Sequence, residues 1–107
     1  MKKEQQPSGL WIGLAKVEPS TAESILDDAQ GAYTNAIAIA DSRSAFRRKV
    51  RKALEELDLR LIRLQDVETL KSRLARHSID TELNKVATAA SKSGEVGFGS
   101  FHAFPQE

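Results

Sequence analysis

The period of the hydrophobic positions changes twice between residues 32 and 64. Residues 32–40 alternate alanines with other side chains, which is typical of a β-strand. The segment 42–57 carries an apolar stripe at helical spacing, and residues 59–64 return to alternation. A strand, a helix of this length and a second strand form a βαβ unit, so we expect parallel strands if both join one sheet.

Two further elements are predicted before this unit. The segment Leu10–Val17 is apolar on both faces until Lys16, which predicts a strand in the interior of a sheet. Ser20 stands three residues before Glu23, the spacing of a helix-capping box. We therefore expect a short helix from Ser20 that ends at Gly31.

After residue 64 the pattern predicts helices and then a last strand. A helix is expected from Asp66 to about Arg76, and Asp80 can cap another. The last strand is expected over 96–104. On one of its faces stand Gly97, Gly99 and Ala103, which permits the close approach of a helix or another chain.

These elements predict an α+β fold with one four-stranded sheet and helices packed on one face. The expected order is β-α-β-α-β-α(α)-β, ferredoxin-like in size, although the helix between the second and third strands departs from the usual βαββαβ order. We expect a flexible N-terminal arm over 1–9, a single domain over 10–104 and a short tail over 105–107.

Composition excludes some kinds of site and argues against some classes of function. The chain has 107 residues, a formal net charge of +1 and no cysteine. The absence of cysteine excludes disulfides and thiolate metal sites and fits a cytoplasmic location. The small net charge argues against a strongly basic nucleic-acid binder. No run is apolar for long enough to cross a membrane, so we expect a soluble protein without membrane contact.

Charge is distributed unusually along the predicted helix 42–57. Its first half holds six basic residues, namely Arg43, Arg47, Arg48, Lys49, Arg51 and Lys52. Its end holds Glu55, Glu56 and Asp58. The helix dipole favours the reverse order, by about 0.3–1 kcal/mol for each exposed charge. An acidic partner would compensate this order, and the predicted partner-binding residues are Arg47, Arg48, Arg51 and Lys52. The alternative is a solvated face or one paired with neighbouring acidic residues.

Two segments resemble the signatures of the RNA-recognition motif. Residues 10–14, Leu-Trp-Ile-Gly-Leu, resemble the short signature of its first strand, and 97–99, Gly-Phe-Gly, resemble the opening of its longer signature. The likeness ends at Ser100 and Ala103, and this strand is the last in the chain instead of the third. The resemblance implies base stacking on aromatic side chains. The alternative is that these aromatic residues fill the core.

Catalytic and metal-binding signals are sparse. His77 and His102 stand in different elements without acidic residues at ligand spacing, so no metal site is expected. No glycine-rich phosphate loop is present, and we expect no cofactor. His102 is a candidate general base if it faces a cleft, and Asp41 follows a strand end, where α/β sheets bind ligands. The ligand candidates are therefore Trp11, Asp41 and His102.

The sequence is compatible with three functions. The first is a non-enzymatic binding module that engages a protein partner or its own copy, through strand edges or the basic helix, as adaptors, regulators, antitoxins and immunity proteins do. The second is nucleic-acid binding through the basic helix over 43–52. The third is a small-ligand sensor or enzyme that uses His102 near Asp41 or Tyr33.

Overall fold

A computed structural model of the chain describes residues 9–21 and 30–103. The N-terminal arm before Gly9, the expected short helix over 22–29 and the segment after Ala103 lie outside the described residues. The elements are β1 (Gly9–Pro19), β2 (Ala32–Ala40), α1 (Arg43–Glu55), β3 (Leu59–Thr69), α2 (Leu70–Leu74), α3 (Thr81–Ser93), β4 (Gly97–Phe98) and β5 (His102–Ala103).

The fold is α+β, with an open antiparallel sheet in the order β3-β1-β2-β4 and with β5 also paired to β2. β1 is therefore interior, as its two apolar faces predict. β2 and β3 both run antiparallel to β1, so they run parallel to each other with β1 between them. The predicted βαβ unit is confirmed, but it is split by a central strand.

Helices cover both faces of the sheet, so the prediction that they pack on one face is wrong. α1 packs on the face formed by the buried residues Ala15, Val17, Ala32, Ala36, Ala38 and Ala40. α2 and α3 pack on the other face, where Leu70, Ala87 and Ala90 meet Ile12 and Ile37. β2 alternates alanine with isoleucine over 36–40, so both of its faces are apolar there and each needs cover.

Two glycines, Gly97 in β4 and Gly99 directly after it, allow α3 to approach closely. A Cβ atom added to Gly97 would lie 2.7 Å from Cγ1 of Val86, and one added to Gly99 would lie 3.1 Å from Cδ2 of Leu83. The close approach of a helix over these glycines is confirmed. Asp80 caps α3 as predicted, because its side chain accepts a hydrogen bond from the backbone N–H of Leu83 at 2.8 Å.

β3 is longer than expected, and α2 is shorter than the helix predicted over 66–76. The register between β1 and β3 shifts twice, at Ile62 and at Asp66, whose φ of 55° is left-handed. Each bulge adds one residue to β3 and reverses its alternation. Leu61, Leu64 and Val67 consequently all pack on the α1 side despite a spacing of three residues. The predicted helix depended on the spacing of Val67, Leu70 and Leu74, but Val67 lies in β3, so only Leu70–Leu74 of that helix forms.

The last strand is also interrupted, between β4 and β5. Phe98 pairs with Ala36 and His102 pairs with Tyr33, so this edge holds one residue more than β2 between the two pairs. The extra residue reverses the alternation, and Phe101 packs on the α1 side with its ring centroid 5.9 Å from that of Phe98. The expected continuous strand over 96–104, with Phe98 and Phe101 on opposite faces, is wrong.

The helices are short. α1 and α3 have 13 residues each and α2 has five. Across the described ranges, no helix has both the length and the apolar character that crossing a membrane requires.

Candidate functional site

The inner side of α1 is apolar and fixes the direction of every other side chain on the helix. Phe46, Val50 and Leu54 are fully buried against the sheet. Ser42 caps the helix by accepting a hydrogen bond from the backbone N–H of Ala45 at 3.1 Å. With the apolar stripe seated in this way, the residues at the opposite helical angles must face outward.

Two basic residues at the margins of α1 tie the helix to the strands below it. Arg43 Nη1 donates to the carbonyl oxygen of Val67 in β3 at 2.9 Å. Lys49 Nζ donates to the carbonyl oxygen of Ile39 in β2 at 2.7 Å. The helix thus binds one strand on each side of β1, and these two cations have a structural use.

The remaining four cations form an outward surface that we call the basic face, composed of Arg47, Arg48, Arg51 and Lys52. All four are exposed. Within residues 9–21 and 30–103, none makes an ion pair or a side-chain hydrogen bond. Glu55 and Glu56 are also exposed, and neither pairs with Arg51 or Lys52 one turn earlier. Salt bridges to neighbouring elements therefore do not account for these charges in the described part of the chain.

The helix dipole explains less of the charge order than the sequence suggests. The first turn of α1 holds one basic residue, Arg43, and the last turn holds Lys52 as well as Glu55. Because the dipole acts mainly within the first and last turns, Arg47 and Arg48 lie largely beyond its range. The unusual feature of α1 is therefore four neighbouring cations that have no partner among the described residues, not an opposition to the dipole.

A second charged cluster, around Glu68, is held together by its own ion pairs. Arg73 Nε donates to Glu68 Oε2 at 2.5 Å, and Arg76 Nη2 donates to Oε1 of the same carboxylate. The Arg73 hydrogen bond, followed by that of Arg76, lowers the pKa of Glu68 to about 2. This group lines an open cleft of about 870 Å³ beside His77. The sequence interpretation missed it because the bulge at Asp66, which has no sequence signature, turns Glu68 toward these arginines.

The structure brings two of the three ligand candidates together and places the third at the other end of the sheet. Trp11 and Asp41 line one open cleft of about 570 Å³ at the end of β2. His102 is exposed beside Tyr33 near the beginning of β2. A strand rises about 3.3 Å per residue, so roughly 25 Å separates His102 from Asp41. His102 thus lies near Tyr33, as one form of the enzyme hypothesis requires, but it does not share a site with Asp41.

The aromatic residues that resemble the RNA-recognition motif face the core. Trp11 stacks on Phe46 of α1 with a centroid distance of 6.4 Å, and its Nε1 donates to the carbonyl oxygen of Ala40 at 3.0 Å. Phe98 packs on the same α1 side. Both rings are half-buried and pack on the α1 side, which supports the alternative that these aromatic residues fill the core.

Neither a metal site nor a known relative adds to the candidates. Among the described residues, no group of three or more His, Cys, Asp or Glu side chains could hold a metal ion. Comparison of the chain with protein-family models, curated proteins and solved structures found no match. The function is therefore inferred from the chemistry of the surface alone.

Proposed function

We propose that this chain is a small non-enzymatic binding module that docks an acidic protein surface on the basic face of α1. The observation that carries the proposal is the contrast within one helix. Arg43 and Lys49 are held by strand carbonyls, whereas the four cations of the basic face are exposed and have no partner in the described part of the chain. A cluster of like charges without internal use is suited to an external partner of opposite charge.

A protein partner fits this surface better than a nucleic acid. Glu55 and Glu56 follow the basic face by one turn and are equally exposed. A phosphate backbone that continued along α1 would meet these carboxylates and be repelled. A protein surface can instead oppose the basic half with acidic side chains and the acidic half with basic ones.

The sheet edges support α1 as the docking surface over strand pairing with a second copy. β3 forms one edge and contains two bulges, with Arg60 and Arg63 exposed along it. β4 and β5 form the other edge and are interrupted after two residues each. Bulged, short and charged edges hinder pairing with another chain.

The expected association is weak and sensitive to salt. An exposed ion pair contributes about 0–1 kcal/mol, so the four cations of the basic face supply at most about 4 kcal/mol of favourable contact. Reversal of two of the four charges replaces attraction with repulsion. We expect the variant R48E/K52E to lose at least about tenfold in affinity, which corresponds to about 1.4 kcal/mol.

Differential affinity capture tests the proposal. Immobilised wild-type protein, R48E/K52E and the control K85E/K92E are each exposed to lysate, and the retained proteins are compared by mass spectrometry. Lys85 and Lys92 are exposed on α3, so the control makes the same change in net charge on the other side of the sheet. We expect an acidic protein that the wild type and the control retain and that R48E/K52E loses.

Three further results would redirect or reject the proposal. If all three proteins retain the same partners equally, the basic face is a solvated surface that binds none of them. Capture of nucleic acid by the wild type and the control, but not by R48E/K52E, would assign α1 to the nucleic-acid alternative. A dimer in light scattering that R48E/K52E dissociates would make the partner a second copy. Circular dichroism of each variant verifies that the fold is retained.

A further inference from the structure

An open cleft of about 520 Å³ lies beside the basic face, between α1 and the loop that leads into β4. Its apolar lining comes from both of these elements and consists of Ala53, Leu57, Val96 and Phe98. All four residues are half-buried, so each keeps apolar surface that solvent reaches. An apolar side chain of a partner would remove that surface from water, which is favourable.

The cleft is continuous with the basic face through Lys52. This residue is one of the four cations of the basic face, and it also lines the cleft. Lys49 lines the cleft as well, but its Nζ is held by the carbonyl oxygen of Ile39. Lys52 makes no ion pair or side-chain hydrogen bond with the described residues. A partner that binds Lys52 therefore touches the edge of the cleft.

Two carboxylates make the cleft unsuitable for an acidic side chain. Glu56 follows Lys52 by one turn of α1, and Glu95 lies in the loop on the other side of the cleft. Both are exposed. An acidic side chain that entered the cleft would meet these carboxylates and be repelled. The cleft therefore favours an uncharged occupant, while acidic groups of the same partner are favoured on the basic face.

The basic face gains most from such an occupant because its own contacts are weak. Four exposed ion pairs give at best an affinity in about the millimolar range. Protein interfaces obtain most of their binding energy from a few side chains buried in pockets, with polar contacts around them contributing less. Burial of one large apolar side chain in the cleft would strengthen binding about tenfold.

We propose that this cleft receives a large apolar side chain from the acidic protein segment that docks on the basic face. The inference rests on the proposed function and specifies its partner as an acidic segment next to one apolar anchor residue. Phenylalanine suits the cleft best, because its ring can pack against the half-buried ring of Phe98. The continuity at Lys52 favours this partner over a free apolar ligand, which would make no use of the cations.

Two labelled oligoglutamate peptides of equal length and charge test the inference. Each ends in one test residue with an amidated C-terminus, phenylalanine in one peptide and serine in the other. Fluorescence polarisation measures both affinities over a series of salt concentrations. For the wild type we expect the phenylalanine peptide to bind about tenfold more tightly than the serine peptide. Both affinities should fall as salt rises, because exposed ion pairs are screened, while their ratio stays near tenfold.

The variant Ala53→Gln narrows the cleft without a change of charge. Ala53 is outside the buried core clusters of the described residues, and glutamine forms helices well, so the fold should be retained. We expect this variant to bind the two peptides equally. The control Ala89→Gln makes the same change at an exposed position of α3 and should keep the tenfold ratio. Circular dichroism verifies the fold of both variants.

An NMR measurement on the wild type tests the same cleft without any substitution. The methyl resonances of Ala53 and Val96 should shift with the phenylalanine peptide and remain in place with the serine peptide. Shifts of equal size with both peptides would contradict an apolar anchor in the cleft.

Failure of the anchor and failure of the basic face give different results. Equal affinity of the wild type for the two peptides, with both weakened in R48E/K52E, would overturn the anchor and leave the basic face standing. A tenfold ratio that Ala53→Gln retains would place the phenylalanine elsewhere and overturn the inference. Binding of the phenylalanine peptide that R48E/K52E leaves unchanged would reject the basic face and the shared site with it.

Discussion

Replacement of Gly97 by alanine tests whether α3 is seated on the last edge of the sheet. An added Cβ would lie 2.7 Å from Cγ1 of Val86 and 3.4 Å from its carbonyl oxygen. Real Cβ atoms do not approach a methyl carbon so closely, so either α3 or the Val86 side chain must move. Valine has one strongly preferred χ1 rotamer in a helix, which leaves movement of α3 as the main response.

The expected cost follows from two opposing effects. Overpacking of a tight contact destabilises a fold by about 1–3 kcal/mol. The backbone of Gly97 is not at positive φ, so alanine fits its conformation and gains about 0.4–1 kcal/mol by restricting the unfolded chain. The net expectation for Gly97→Ala is a destabilisation of up to about 2.6 kcal/mol.

A double-mutant cycle separates this contact from a general effect of the substitution. Val86→Ala alone removes apolar surface and should cost about 1–2 kcal/mol. In the double variant the smaller residue at 86 makes room for the new methyl group, so its loss should fall short of the sum of the single losses by about 1 kcal/mol. Urea unfolding followed by circular dichroism measures each free energy of unfolding.

The control is Gly9→Ala, because a Cβ at Gly9 meets nothing within 4 Å. It should change stability by less than about 0.5 kcal/mol. Strict additivity of Gly97→Ala and Val86→Ala would refute the close packing of α3 on β4.

Two other predictions concern buried and paired polar groups. Hydrogen bonds from Arg73 and Arg76 lower the pKa of Glu68 to about 2, below its ordinary 4.5. The charged carboxylate therefore stabilises the fold above pH 4.5, and this contribution is lost as the pH falls toward 2. Glu68→Gln should therefore show a smaller fall in urea midpoint over that range than the wild type, and parallel curves would contradict the pairing. Thr34 is fully buried and its Oγ1 donates to the carbonyl oxygen of Gly99 at 3.1 Å, so Thr34→Val should cost about 1–3 kcal/mol in urea unfolding. Thr88→Val on the exposed side of α3 should cost less. Equal losses in the two variants would show that the buried hydrogen bond contributes no more to the free energy of unfolding than the exposed one.

The parts of the fold that obey simple periods could be predicted from the sequence. β2 and α1 follow periods of 2 and 3.6 without interruption, and the fully buried Phe46, Val50 and Leu54 belong to the apolar stripe that the helical spacing over 42–57 predicts. Bulges defeat such prediction because they leave no compositional mark. The bulge at Asp66 gives Leu64 and Val67 a helical spacing within a strand, and the extra residue after β4 reverses the chain that follows it.

The candidate sites also differ in whether local pattern alone could predict them. The basic face lies within one helix, so its exposure follows from the position of the apolar stripe in the sequence. The cluster around Glu68 requires the bulge at Asp66, which long-range strand pairing decides and local pattern does not. The isoleucines of β2 indicate that the second face of the sheet also needs cover, which the prediction of one helix layer overlooked, but the pattern does not indicate which helix packs on which face.

An NMR titration of the isotope-labelled protein with an oligoglutamate peptide tests the docking face most directly. The peptide presents the acidic chemistry of the proposed partner without a fold of its own. We expect the largest amide shifts at Arg47, Arg48, Arg51 and Lys52, fading as salt rises, and little change at Lys85 and Lys92. Equal shifts at Lys85 and Lys92, or no shift along α1 at low salt, would contradict the assignment of α1 as the docking surface.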